Sequence, residues 1–173
     1  MRYFAAIGLG LFFACSAFAQ ASPPSRPTFS TFDINGQKID TAALAGKVVV
    51  LNLWFVNCPN CVEEIEMLNG LVDEYKDRKD VVFIGLAASS KPMLVDFLAK
   101  HPFKYTTVPN AQMIILGKFG APDKNGDIEV PFPMHVVLDR TGVVIARAQG
   151  SKGITAVRAA LAGELAKKTA GTP

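Results

Sequence analysis

The stretch WFVNCPNCVEEIEML, residues 54–68, holds two cysteines three positions apart. The apolar, β-branched run VVVLNLWF, residues 48–55, leads into them and is typical of a strand buried on both faces. After the cysteines, apolar residues recur at helical spacing and predict a helix from Pro59 to about Lys79. These residues are Ile65, Leu68, Leu71, Val72 and Tyr75. The cysteines therefore fall where a buried strand gives way to a helix.

Cys58 is predicted to be the N-cap of that helix, because Pro59 suits the first helical position. Its sulfur would face the unpaired N–H groups and the positive end of the helix, and both stabilise a thiolate. Cys61 lies one turn further on the same face, close enough to form a disulfide with Cys58. The spacing predicts an exposed attacking thiol, Cys58, and a sheltered resolving thiol, Cys61.

The chain has 173 residues, of which 50% are hydrophobic, and a formal net charge of +3. This length suits one well-buried domain. Lysine and arginine are scattered along the sequence, so it has no electrostatic footprint for nucleic acid. We predict a monomer with no nucleic-acid partner.

The N-terminus is typical of an export signal. Met1-Arg2 supplies a positive start, an uncharged apolar run follows, and Ala17-Phe18-Ala19 offers small residues for cleavage. We predict a signal peptide over residues 1–19, cleaved after Ala19, and a periplasmic or secreted protein. A retained membrane anchor and lipidation at Cys15 are the alternatives.

Loss of Cys15 with the signal would leave Cys58 and Cys61 as the only cysteines. A structural zinc site normally needs four Cys or His ligands, and His101 and His135 stand alone and far along the chain. A disulfide that closes so short a loop restricts the unfolded chain less than one that closes a long loop. A redox couple is therefore the favoured interpretation of the CxxC motif.

Strand and helix patterns alternate along the rest of the chain. A Pro- and Ser-rich leader is predicted at residues 20–28, one domain at residues 29–168 and a tail at residues 169–173. Asn35-Gly36 predicts an N-terminal β-hairpin. The alternation predicts a mixed α/β sheet with helices on both faces. Further strands are predicted at residues 81–88, 104–108, 132–139 and 143–148, helices at residues 91–101, 111–119 and about 154–168, and a solvated loop at residues 120–130.

The strand, the CxxC motif and the segment FPMHVVLDRTGVV, residues 132–144, resemble the TlpA/ResA-type thiol-disulfide oxidoreductases, which are redoxin-related. Asn52, six before the first cysteine, and Trp54, four before it, match the strand of this family. Glu64 matches the acid that the family carries three residues after the second cysteine. The resemblance covers roughly residues 29–165. It implies a thioredoxin fold with an added N-terminal hairpin and an inserted strand and helix.

The resemblance also implies how a substrate is bound. Pro133 matches the family's cis-proline, and Phe132 would offer its backbone to a bound peptide. Pro59 is predicted to contact substrate as well. Trp54 is predicted to belong first to the core and second to the wall of the site. No organic cofactor is expected.

Glu64 has two interpretations from the sequence. It could accept the proton of Cys61, which lies one helical turn before it. It could also be an ordinary helix-dipole acid on a solvated face, as Glu63 and Glu66 are expected to be.

Three residues depart from the family pattern. Asn57 replaces a tryptophan before the first cysteine, and Glu66 replaces a helix proline, so we expect a straighter active-site helix. His135 replaces a common threonine. It is predicted to be a polar residue on a sheet face, with copper ligation as the less favoured alternative.

The favoured function is reduction of disulfides in protein substrates, with electrons resupplied by a thiol donor embedded in the membrane. One alternative is a copper-binding protein of the SCO type, with Cys58, Cys61 and His135 as ligands. Another is a thiol peroxidase, which lacks the expected threonine because Phe55 stands three before Cys58.

Overall fold

The computed structural model describes residues 26–167. The predicted signal peptide, Cys15, the leader up to residue 25 and the predicted tail lie outside the described residues. No helix between residues 26 and 167 combines the length and the apolar character that a membrane crossing requires.

Strands and helices alternate through the described chain, as the sequence predicts. The strands are β1 (Ser30–Phe32), β2 (Lys38–Asp40), β3 (Val48–Trp54), β4 (Val81–Ala87), β5 (Thr106–Val108), β6 (Ala121–Pro122), β7 (Ile128–Glu129), β8 (Met134–Leu138) and β9 (Val144–Gln149). The helices are α1 (Pro59–Glu63), α2 (Ile65–Glu74), α3 (Lys91–Leu98), α4 (Gln112–Phe119) and α5 (Gly150–Ala166), with a 3₁₀ turn at Thr41–Leu44.

A five-stranded mixed sheet with the order β5-β4-β3-β8-β9 forms the centre of the domain. β3, β4 and β5 are parallel, while β8 runs antiparallel to its neighbours β3 and β9. Residues of α2 and α5 pack on one face of the sheet, and residues of α4 pack on the other. Every residue of β3 is buried, which explains its unbroken apolar sequence. The mixed α/β architecture predicted from the sequence is confirmed.

Two short hairpins lie outside the central sheet. β1 and β2 pair antiparallel, and Gly36 in their turn has a φ of +81°, a conformation that glycine adopts readily. The predicted loop at residues 120–130 contains a second hairpin, in which β6 and β7 pair over two residues each. Asp123 Oδ1 accepts the backbone N–H groups of Asn125 and Asp127 in its turn. Strands of this length are too short to show the alternation of apolar and polar residues by which a strand is recognised in a sequence.

The single helix predicted from Pro59 to about Lys79 is wrong. The helix breaks at Glu64, where φ is −83° and ψ is −14°, and α2 then ends at Glu74. The break occurs without a proline, and the expectation that the helix is straighter than in the family stays a prediction. At the break the carboxyl group of Glu64 turns into the interior.

The last helix begins earlier than its apolar pattern predicts. α5 begins at Gly150, directly after β9, whereas the sequence pattern begins at about Ile154. Gly150 has a φ of +68°, which allows the chain to turn sharply from strand to helix.

Arg140 joins three elements at the end of the sheet opposite the cysteines. Its guanidinium group lies 3.1 Å from Asp80 Oδ2, just before β4, and donates to the Glu164 carbonyl oxygen of α5 at 2.9 Å. Residues 26–28 line a cavity at the same end, together with Lys47 and Thr141. The described chain therefore enters the domain at the end of the sheet remote from the CxxC motif.

Candidate active site

Cys58 and Cys61 form a disulfide at the point where β3 gives way to α1. Cys58 is the N-cap of α1, and its sulfur accepts the backbone N–H of Cys61 at 3.2 Å. Pro59 occupies the first turn and is exposed beside the disulfide. The N-cap position predicted for Cys58 is confirmed, and it places the sulfur at the positive end of the helix.

The two cysteines differ little in exposure while they are bonded to each other. Cys58 is 6% exposed and Cys61 is 3% exposed. The small difference makes Cys58 the slightly more exposed residue of the pair. The assignment of attacking and resolving thiols stays a prediction.

Hydrogen bonds from the backbone hold the loop between β3 and Cys58. The Val56 N–H donates to Ser89 Oγ at 3.0 Å, and the Cys58 N–H donates to the Phe55 carbonyl at 3.2 Å. Ser89 follows β4, so the neighbouring parallel strand fixes the approach to the disulfide.

Trp54 lies in the core beneath the disulfide. Its indole ring packs against Phe97 and Phe103, with ring centroids 5.6 and 5.4 Å away. The ring is almost fully buried. The predicted role of Trp54 in the core is correct. Its expected contact with substrate stays a prediction, because the packed aromatic rings leave the indole almost no exposed surface.

The Phe132–Pro133 peptide bond is cis, as the resemblance implies. This pair lies immediately before β8, and the Pro133 carbonyl accepts the N–H of Gly150 at 3.2 Å. The Phe132 ring meets the Phe55 ring edge to face, with centroids 5.2 Å apart and an interplanar angle of 88°. The predicted substrate contact of Phe132 and Pro133 stays a prediction.

A groove of about 310 Å³ runs beside this aromatic pair. Phe55 and Phe132 form one part of its wall, and exposed Asn57 and Met93 form another. Such a groove offers apolar contacts next to a reactive sulfur.

Glu64 is buried, with only 1% of its surface exposed. Its interpretation as an acid on a solvated face is therefore wrong. Glu64 Oε2 lies 3.2 Å from His135 Nε2, without the alignment of a hydrogen bond. His135 is buried on β8, and its Nδ1 lies 3.2 Å from the side-chain nitrogen of Asn52 on β3. Asn52, His135 and Glu64 thus form a buried polar chain that ends next to α1, which carries the cysteines.

Tyr105 adds another buried polar group near this chain. Burial raises the pKa of its hydroxyl, and the nearby Glu64 carboxylate raises that pKa further. Its hydroxyl oxygen, both carboxylate oxygens of Glu64 and Nε2 of His135 have no hydrogen-bond partner among residues 26–167. Buried polar groups without partners are uncommon in folded proteins and often mark functional sites. Neither Tyr105 nor the contact of His135 with Glu64 is predicted from the sequence, although a histidine within a buried strand is itself an unusual signal.

Copper ligation receives no geometric support from the described residues. No three His, Cys, Asp or Glu side chains between residues 26 and 167 are grouped as a metal site. His135 instead lies between Asn52 and Glu64.

The fold and this site define a thiol-disulfide oxidoreductase with a thioredoxin fold. The sequence profile of the Redoxin family matches residues 21–161, so the chain belongs to the Redoxin family. Within it the chain is of the ResA/TlpA type. It is 29% identical to the thiol-disulfide oxidoreductase ResA of Bacillus thuringiensis (strain Al Hakam) over 127 residues, which cover 73% of this chain and 68% of the relative.

Solved structures share the fold at lower sequence identity. The thiol:disulfide interchange protein of Chlorobium tepidum TLS aligns with a TM-score of 0.69 at 21% identity, covering 85% of this chain and 99% of that one. A secreted Mycobacterium tuberculosis disulfide oxidoreductase, described as homologous to E. coli DsbE, aligns with a TM-score of 0.61 at 22% identity, covering 80% and 97%.

Proposed function

We propose that this protein works outside the cytoplasm and reduces disulfide bonds in protein substrates. The observation that carries this proposal is the Cys58–Cys61 disulfide at a helix N-terminus, next to a groove lined by Phe55 and Phe132. The groove can accept the side chains of a polypeptide. A small disulfide bound at the cysteines would not extend into it. The N-terminal sequence and the secreted relative support the extracytoplasmic location.

In the forward reaction the reduced protein gives two electrons and two protons to its substrate. The Cys58 thiolate attacks one sulfur of the substrate disulfide, and the other sulfur leaves as a thiolate and takes up a proton. Cys61 then loses its proton and attacks Cys58 Sγ. The second substrate sulfur leaves and is protonated, and the Cys58–Cys61 disulfide is formed.

Glu64 is the proposed acceptor of the Cys61 proton. It follows Cys61 by three residues and is buried on the interior side of the helix break. The oxidised protein must then be reduced again, which in an oxidising compartment requires a thiol donor embedded in the membrane.

The experiment that tests the proposed function is mixed-disulfide trapping in cells. Cys61→Ser removes the resolving thiol, so substrates should stay bonded to Cys58 and be recovered by non-reducing electrophoresis and mass spectrometry. Cys58→Ser is the matched control and should capture none of them. Capture of cytoplasmic proteins alone, or equal capture by both variants, would contradict the proposal.

A further inference from the structure

The Asn52–His135 contact determines which ring nitrogen of His135 carries a proton. The two residues are directly opposite in the β3–β8 ladder, and Asn52 Nδ2 lies 3.2 Å from His135 Nδ1. An amide nitrogen can only donate, so Nδ1 acts as the acceptor and bears no hydrogen. A neutral imidazole then carries its hydrogen on Nε2.

Nε2 is the nitrogen that lies 3.2 Å from the Glu64 carboxylate. The His135 and Glu64 side chains are 0% and 2% exposed, so water screens their interaction little. At this distance and burial the positive end of the Nε2–H dipole stabilises the anion of Glu64 electrostatically, although the two groups are not aligned as a hydrogen bond.

Two glycines of α5 carry no side chain, and this leaves room for the side chains of His135 and Glu64. A Cβ atom at Gly153 would lie 2.9 Å from the Ala148 side chain and 3.4 Å from the His135 ring. A Cβ atom at Gly150 would lie 3.8 Å from Glu64 Oε1. The first turn of α5 thus packs closely over both side chains and limits their movement.

Glu64 also borders the surface. It lines a cavity of about 450 Å³ together with Asn60, Glu63 and Ser151, between α1 and α5, while both of its carboxylate oxygens stay buried.

We propose that His135, oriented by Asn52, is a positioning residue that keeps Glu64 in the ionised form able to accept the Cys61 proton. This inference rests on the proton-acceptor role given to Glu64 in the proposed function. His135 itself is assigned no proton transfer, and its Nδ1 faces the amide of Asn52. When Cys61 is deprotonated, its proton moves to Glu64, and its sulfur forms the bond to Cys58 Sγ as the substrate sulfur leaves.

Few titratable groups surround the pair. Glu63 lines the same cavity as Glu64, Cys61 lies one helical turn before Glu64, and Tyr105 approaches from the segment before β5. The neighbouring positions on the other elements do not titrate; they are Asn52 of β3, Gly85 of β4, Ala148 of β9, and Gly150 and Gly153 of α5. The pH dependence of the resolving step should therefore report mainly on Glu64 and Cys61.

The test uses the reduced protein mixed with one equivalent of a chromogenic aromatic disulfide. The first coloured thiolate reports attack by Cys58, and the second reports resolution by Cys61. In His135→Leu the pH midpoint of the second phase should rise by about one pH unit, because the anion has lost the nearby Nε2–H dipole. Below that midpoint, resolution should be about tenfold slower. His135→Gln, which keeps a donor, should stay within about threefold of the wild type.

Glu164→Gln is the matched control, because Glu164 is another buried glutamate and lies at the far end of α5. It should leave both phases unchanged. Equal midpoints in His135→Leu and the wild type would overturn the inference, as would equal shifts in the Leu and Gln variants. If Glu64→Gln slows resolution while His135→Leu does not, the positioning role fails and the acceptor role stands. If Glu64→Gln changes nothing, both fail.

A measurement on the wild type keeps the inference testable if His135→Leu does not fold. The ¹⁵N chemical shifts of His135 should show that the ring proton is on Nε2 and that Nδ1 carries none. A proton on Nδ1 would overturn the inference.

Discussion

Gly85 lies directly beneath the indole ring of Trp54. A Cβ atom at this position of β4 would be 3.2 Å from Trp54 Nε1 and 3.1 Å from the Phe103 ring. An added methyl group would therefore require the aromatic rings under the disulfide to shift by a few tenths of an ångström.

Gly85→Ala should lower the free energy of unfolding by about 1–3 kcal/mol, because the added methyl overpacks this region. Gly70→Ala is the matched control: Gly70 lies within α2, and a Cβ atom there would meet nothing within 4 Å. Alanine should stabilise that helix by roughly 0.5–1 kcal/mol. Urea unfolding of both variants checks the opposite signs, and equal stabilities would contradict the packing argument.

Phe132→Ala should slow the reduction of protein substrates more than the reduction of small disulfides. Removal of its ring opens the aromatic wall of the groove, and we expect kcat/KM for a protein disulfide to fall by about tenfold. The rate with a small aromatic disulfide should change much less, since that reagent needs only the cysteines. Phe32→Ala, at an exposed residue of β1, is the control. Equal losses with both substrates would assign Phe132 a role in packing only.

Reduced Cys58 should be alkylated before Cys61. Cys58 is the more exposed of the two, and its N-cap position favours the thiolate. A short pulse of a bulky maleimide, followed by peptide mass spectrometry, measures the order. Preferential labelling of Cys61 would reverse the roles of the two thiols.

The reduction potential should lie nearer to about −270 mV, as in thioredoxin, than to about −120 mV, as in a DsbA-type oxidant. Glu63 and Glu64 line one cavity beside α1, and Glu66 follows in the first turn of α2. Negative charge disfavours a second anion nearby, so the Cys58 thiolate is less stabilised than the helix dipole alone would make it.

Equilibration with glutathione or dithiothreitol buffers measures this potential. Glu63→Gln should make the couple more oxidising, whereas Glu129→Gln, at an exposed residue of β7, should not change it. A wild-type value near the oxidising end of the range would show that the helix dipole outweighs the acids.

Asp80 should contribute stability that is lost in acid. Hydrogen bonds from Arg78 and, to a smaller extent, from Arg140 lower its pKa from 3.8 to about 2. The contribution is complete above the unfolded value of 3.8 and disappears as the pH falls through about 2. Because the side chain is 35% exposed, we expect roughly 1 kcal/mol at neutral pH.

Thermal unfolding of Asp80→Asn across this pH range checks the expectation. The variant should be less stable than the wild type at pH 7, and the difference should shrink as the pH falls from 3.8 towards about 2. Asp96→Asn, at an exposed residue of α3, should behave as the wild type throughout. A deficit that persists unchanged at low pH would point to a cause other than the charge of Asp80.

The main elements could be predicted from the sequence because their signals are local. The apolar run of β3, Pro59 after Cys58 and the Asn35-Gly36 turn each depend on residues next to one another. The break at Glu64 has no such signal, since no proline or glycine marks it. It arises together with a contact across 71 residues, between Glu64 and His135.

The buried polar groups of the candidate site could not be predicted from the sequence for the same reason. Asn52 and His135 come together only when β3 and β8 pair, although neither residue is close to the other in the sequence. Tyr105 enters from a third segment, before β5. Spacing can place two cysteines on one helical turn, but it cannot predict which buried polar groups the sheet brings together behind them.

The position at which the chain enters the domain determines how the disulfide is presented. Lys47, beside residues 26–28, directly precedes β3, and the cysteines follow the other end of that strand. Seven residues of extended strand span roughly 20 Å. A copy held by its N-terminal segment would therefore present the disulfide on the side facing away from its tether. Attachment to a surface would leave the cysteines open to an approaching partner, and such a protein would have no need to be released before it can react.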